Sequence, residues 1–186
     1  MSEGREERGG DGSIVPWRSP TFHVILASSL MGVMGVSLIS PLLPALRDVF
    51  GVSDARIGLV ITVYTLPGVF LTPFIGLVAD RIGRRRVIIP LLFVFGIGGA
   101  GIAVAGSFEA VLALRFLQGI GASALVTLAV TLIGDVYEGA RRNAVMGVNS
   151  SVIGTGAALY PLVGGVLAGI RWNVPFLFFG VGIAVA

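Results

Sequence analysis

After a polar opening, the chain alternates long apolar runs with brief charged breaks. Residues 1–19 are rich in Gly, Glu and Arg and predict a solvated, poorly ordered tail. Apolar runs then cover 22–46, 57–79, 87–105, 110–133 and 144–170. Each matches, give or take a residue, the ~20 residues that a helix needs to cross a ~30 Å hydrocarbon core. All are too long for the ~9–11-residue strands of a membrane barrel. The pattern predicts an all-α membrane protein with residues 20–186 as a transmembrane bundle. A last run, 174–186, would reach only ~20 Å at ~1.5 Å per residue, and no charge closes it. It reads as the start of a sixth, truncated helix, or as a short re-entrant or surface helix. The opening is not a typical secretory signal, being of mixed charge and followed by too long an apolar run.

Composition strengthens this reading. Hydrophobic residues make up 55% of the chain and charged ones 12%, where a soluble domain carries roughly 25% charge. A globule of this size could not hide so much apolar surface, which excludes a soluble enzyme. There is no cysteine and one histidine, His23. Disulfides, thiol chemistry and a metal centre are therefore not expected, and no cofactor is implied. All 13 basic residues are arginine. With the N-terminus in the cytoplasm, nine fall on the inner side: Arg5, Arg8, Arg18, Arg81, Arg84, Arg85, Arg86, Arg141 and Arg142. Arg47, Arg56 and Arg171 fall outside, and Arg115 lies within a run. This positive-inside bias orients a multi-pass protein of the cell (plasma) membrane. The basicity is thus a topology signal, and no nucleic-acid partner is expected.

A weak internal repeat is visible. Gly32 and Gly119 stand 87 residues apart, as do Asp48 and Asp135 near the ends of their runs. One run ends outside and the other inside, which describes inverted copies of three helices each, a pattern of secondary transporters. Chance likeness between glycine-rich helices is the competing explanation.

Three stretches carry candidate chemistry. Between the second and third runs, five charges lie within seven residues, Asp80 to Arg86. Asp80 ends one helix, Arg84 to Arg86 open the next, Gly83 permits the turn, and Gly76 permits close approach of a neighbour. In the fourth run, Arg115 is costly unless it snorkels or faces a wet cavity. Gln118, Gly119 and Gly121 follow it. The fifth run carries Gly147, Gly156, Pro161, Gly164 and Gly165, a packing face with a kink. Further polar candidates are Ser37, Ser40, Ser123, Thr127, Asn149, Ser150 and Tyr160, as interhelical glue or cavity lining. No Asp or Glu lies in the middle of a run.

The loop pattern G-x-L-a-D-r-x-G-r-k resembles the signature of the major facilitator superfamily, matched at Gly76, Ala79, Asp80, Arg81, Gly83, Arg84 and Arg85. The fourth run resembles that family's R-x-x-q-G-x-g-a pattern at Arg115, Gln118, Gly119, Gly121 and Ala122. The fifth resembles its antiporter pattern, with Tyr160 where a glycine is usual. Pro41 to Pro44 with Gly51 to Ser53 also looks like the twelve-helix drug-efflux branch. The resemblance implies the six-helix N-terminal bundle of a transporter whose partner is a second, C-terminal six-helix bundle, absent here. Asp80 and the arginines would form a cytoplasmic charge latch against that bundle. Arg115, with Gln118, Asn149 and Tyr160, would line the cavity or serve coupling. The expected activity is proton-coupled efflux of a small, amphipathic solute by alternating access. Uptake or uniport by the same family, a non-transporting scaffold and a membrane enzyme are the rivals; the last lacks any nucleophile–base or buried acid pair.

Overall fold

A computed structural model describes residues 14–180. Five helices are long and apolar enough to cross a membrane: α1 Pro20–Phe50, α2 Asp54–Ile82, α3 Arg84–Val104, α4 Phe108–Val136 and α5 Gly139–Ile170. A short α6, Val174–Leu177, continues into a 3-10 turn, Phe178–Gly180. This is the all-α bundle that the apolar runs predict. Of the sixth run, 181–186 lie outside the described residues, as do 1–13 of the expected tail. The rest of that tail turns and packs. Pro16 is buried, and the Trp17 ring meets Phe22 edge-on at 5.5 Å. The apolar Pro16-Trp17 pair explains why the bundle starts before residue 20.

Local signals set the helix ends. Pro20 opens α1 at a position where a missing N–H costs nothing. Gly51 closes it in the left-handed conformation, φ 61°. Ser53 and Ser107 cap the starts of α2 and α4, accepting from Arg56 N and Ala110 N. Gly83 turns α2 into α3 with a φ of 99°, where any other residue would be strained.

Besides a single turn residue at Gly58 near the start of α2, two of the spans are discontinuous. α1 unwinds at Leu38–Ile39, just before Pro41 and Pro44, and resumes as a 3-10 turn. The amide of Ile39 then bonds to the Val36 carbonyl at 3.1 Å instead of to Gly35. α4 breaks at Ser123–Ala124 without any proline. Its second half, Leu125–Val136, starts with no side-chain cap.

The core lies among α1, α3 and α4, whose apolar stretches are half or more buried. In α2 and α5 only 22% and 11% is buried. Each packs by one face, α2 on α4 and α5 on α1, and leaves the other bare. At the Glu109 end, Phe50, Phe108, Trp172 and Phe176 form an aromatic cluster that ties α6 to α1 and α4.

Candidate functional site

The centre of the bundle is a knot around Arg115. The side chain is fully buried and is the largest of the fully buried ones. Its Nε donates to the Val60 carbonyl of α2 at 3.2 Å, Nη2 to the Gly35 carbonyl of α1 at 2.9 Å, and Nη1 to Gln118 Oε1 at 2.7 Å. The guanidinium also lies 4.6 Å from the centre of the Tyr64 ring, a cation–π geometry. One planar fork thus joins three helices. The break in α1 explains one of its acceptors: with Ile39 bonded to Val36, the Gly35 carbonyl is left for Arg115. Among the described residues no carboxylate pairs with this cation. The sequence left snorkelling and a wet cavity open for Arg115; in this structure its guanidinium is enclosed by neighbours of its own chain.

Small residues let the knot close. A side chain at Gly35 would overlap the Tyr64 hydroxyl, and one at Gly119 would overlap the Tyr64 carbonyl. Gly121 meets the α3 backbone at Leu91 and Phe95 in the same way. Gln118 is buried, with its Oε1 on Arg115 and its Nε2 without a partner. Tyr64 was not singled out from sequence, nor was Gly35. The signal was present in a tyrosine inside an apolar run and a glycine three residues after Gly32.

The other cavity candidates lie apart. Asn149 is buried on α5, with Oδ1 unpartnered, and Tyr160 is half-buried beside Gly156. Neither shares a hydrogen bond with Arg115. Of the α5 glycines, Gly164 packs on the Leu38 carbonyl at the α1 break, and Gly156 on Leu30. Nothing lies within 4 Å of a side chain built at Gly147 or Gly165, and Gly147 borders the groove between α1 and α5. Pro161 lies inside α5, which remains helical through it.

At the opposite end of α2, Arg84 is the hub of the charged turn. It pairs with Asp80 at 3.0 Å and with Asp135 of α4, and it reaches the Thr131 carbonyl at 3.4 Å. One cation so tethers α2, α3 and α4. Asp135, which the sequence offered only as a mark of the repeat, belongs to this cluster. Arg81 and Arg85 are exposed, and no ion pair holds them among the described residues. Among the described residues nothing lies within 4 Å of a side chain built at Gly76 or Gly83, so none of them is the close neighbour expected at Gly76.

Between α1, α2 and α4 lies a groove of about 200 Å³, lined by Gly32, Tyr64, Thr65, Gly68, Gly119, Ala122 and Ser123. A more apolar groove of about 530 Å³ runs between α1 and α5, past Leu30, Gly147, Ser151 and Thr155.

Comparison with known proteins places this geometry. The profile described as Major Facilitator Superfamily matches residues 25–186. The chain is 33% identical over 163 residues to the bacillibactin exporter of Bacillus subtilis strain 168, covering 83% of this chain and 40% of that protein. It is 28% identical over 147 residues to the quinolone resistance protein NorA of Staphylococcus aureus strain MRSA252, covering 79% and 38%. The fold matches the crystal structure of the human organic anion transporter MFSD10 (TETRAN) with a TM-score of 0.73 at 22% identity, over 89% of this chain and 46% of that one. The chain therefore spans about two-fifths of the length of the curated relatives it matches.

Proposed function

The chain belongs to the Major Facilitator Superfamily, and on that premise we propose that it forms one bundle of a secondary transporter that exports a small amphipathic solute. The partner in this reading is a second six-helix bundle, with the solute bound between the two and a proton as the coupling ion. The observation that carries it is the uneven burial. α1, α3 and α4 are covered, while α2 and α5 leave long faces bare beside two grooves. Such faces suit a second bundle that rocks against the first. The efflux direction rests on the likeness to the two bacterial proteins and on the antiporter-like glycines of α5. The turn from Asp80 to Arg86 then faces the cytoplasm and latches the second bundle through Asp80, Arg81 and Arg85. Arg84 stays within its own bundle and positions the turn. The protein works in the plasma membrane with its N-terminus inside.

Everted membrane vesicles test the reading. Cells express this chain alone or together with a second six-helix bundle of the family. A proton gradient is set up, and its collapse is followed by a fluorescent pH dye as amphipathic solutes are added. Collapse that depends on the solute and on both bundles is the expected result. No response to any solute, with both bundles inserted, would remove the proposal. One observation favours a second mechanism: among the described residues no carboxylate lies in the middle of a span. A proton carrier would then sit in the partner bundle, and a uniport without ion coupling is the alternative. Solute exit that ignores the gradient would select it.

A further inference from the structure

The two breaks in the spans differ in what holds them. In α1 the break at Leu38–Ile39 is followed at once by Pro41 and Pro44, and a proline lacks the amide that a preceding carbonyl needs. Across the break in α4 the chain reads Gly121-Ala122-Ser123-Ala124-Leu125-Val126-Thr127. It holds no proline, and its alanines and leucine favour helix. Ala124 nevertheless stands at φ −129°, ψ 3°, outside the helical range. The Ser123 carbonyl accepts from Thr72 of α2 at 2.5 Å in place of the Thr127 amide, its partner in an unbroken helix. With little water in a bilayer core, that carbonyl must take one donor or the other. The break in α4 is therefore conditional on a contact 51 residues away.

Thr72 has a second acceptor. Its Oγ1 also lies 2.6 Å from the Gly68 carbonyl, one turn back on its own helix. A threonine hydroxyl carries one hydrogen, so the two carbonyls compete for it. Rotation of the O–H alone decides between them. Gly68 and Ser123 stand on the α2 and α4 walls of the 200 Å³ groove. Beyond the break, the half-helix Leu125–Val136 runs to the charged turn, where the Thr131 carbonyl and Asp135 both hold Arg84. One hydroxyl thus stands between the groove wall and the Asp80–Arg86 turn.

We propose that Thr72 is a switch for α4. With its hydrogen on Ser123 the helix is broken, as in this structure. With the hydrogen on Gly68 alone, the Ser123 carbonyl turns to the Thr127 amide, α4 becomes continuous, and its inner half re-aims. That half has 12 residues, about 18 Å at ~1.5 Å per residue. Removing a kink of ~20° moves its far end by about 6 Å, so Arg84 must follow Asp135 or release it. The switch rests on the transporter reading for its purpose: it links the groove to the cytoplasmic latch.

The test compares Thr72→Ala with Thr72→Ser, which differ by the hydroxyl alone, in the full chain in lipid nanodiscs. Hydrogen exchange of the Thr127 amide slows about tenfold in Thr72→Ala, the scale of one hydrogen bond, and stays within about twofold of wild type in Thr72→Ser. Loss of a merely structural contact would speed that exchange instead. Spin labels at Phe70→Cys and Val136→Cys, both exposed, in a chain without other cysteines, read the distance from α2 to the inner end of α4. It shifts by several ångströms in Thr72→Ala and keeps its wild-type value in Thr72→Ser. Thr72→Val, which also lacks the donor, replaces Thr72→Ala should that variant fail to insert. Faster or unchanged Thr127 exchange, an unmoved label distance, or the same changes in Thr72→Ser overturns the switch. Neither reading involves a solute. A failed vesicle assay therefore removes the transporter and leaves the switch, while a failure here leaves the transporter standing.

Discussion

Arg115→Lys should destabilise the bundle at least as much as Arg115→Met, although lysine keeps the charge. The arginine makes hydrogen bonds to the carbonyls of Val60 and Gly35, on two other helices, and to Gln118 on its own. In membrane proteins an interhelical hydrogen bond contributes about 0.6 kcal/mol, and up to about 1.7. Bonds to a charged group reach about 1.5–3 kcal/mol. Three such bonds and a ring contact give about 2–4 kcal/mol, once the relief from burying no charge is set against the Met variant. Methionine leaves the Gly35 carbonyl and Gln118 Oε1 without this partner but removes the cation. Lysine retains a cation in a dry site, and its compact ammonium on a shorter reach cannot bridge carbonyls on two helices as the planar fork does. Reversible unfolding of the chain in mixed micelles with SDS, followed by Trp17 and Trp172 fluorescence, reads both losses. A Lys variant within about 0.5 kcal/mol of wild type would show that charge alone is required, and the geometric argument would fail.

Gly119→Ala should cost about 1–3 kcal/mol, because the new methyl meets the Tyr64 carbonyl, a backbone atom that cannot move aside; Gly165→Ala, in open space, should stay within about 0.5 kcal/mol in the same unfolding assay. Asp80→Asn should cost this chain less than about 1 kcal/mol, since the Asp80 side chain is 61% exposed and Arg84 keeps Asp135. With both bundles present, the same change should slow solute-dependent gradient collapse; an unchanged rate would exclude the latch. Ile82→Cys, in a chain without other cysteines, should be labelled by an impermeant thiol reagent in everted vesicles and not in intact cells. Labelling in intact cells would reverse the orientation.

The spans were legible because bilayer thickness forces a length, and length is visible in the apolar runs. Of their ends, the turn at Gly83 was read from the sequence; the caps at Ser53 and Ser107 were not, although capping chemistry is local. The two breaks differ in this respect. Leu38–Ile39 lies next to Pro41 and Pro44 and was readable in principle. Ser123–Ala124 has no local cause strong enough to see, because Thr72, 51 residues away, holds it. Arg115 was visible as an intramembrane charge. Its acceptors were not, since both are backbone carbonyls on other helices and a carbonyl carries no residue signature. Tyr64 escaped for a similar reason: its ring counts as apolar in the run, and it acquires meaning only with its hydroxyl against Gly35 and its ring under Arg115. Gly76, Gly147 and Gly165 show the opposite limit. The sequence marks them as contact points, and among the described residues nothing lies within 4 Å of a side chain built there.

The two breaks also bear on the internal repeat. Ser123 stands 85 residues after Leu38, close to the 87-residue offset between Gly32 and Gly119. Both leading helices of the two halves thus unwind near the same position. An unwound turn in a membrane releases backbone groups that the protein must satisfy. The two halves satisfy them differently. In α1 the released group is a carbonyl, Gly35, and a cation takes it. In α4 the break begins a half-helix beside a groove, and no side chain caps its start. The same architectural step therefore yields a closed, structural junction in one half and an open one in the other. The neighbours explain the difference: α1 has Arg115 opposite its break, whereas among the described residues no acidic side chain bonds at the break in α4. Placing a carboxylate there would close it, and Thr65→Glu is the substitution nearest to doing so. It should protect the Leu125–Thr127 amides from hydrogen exchange, and unchanged exchange would refute the open half-helix start.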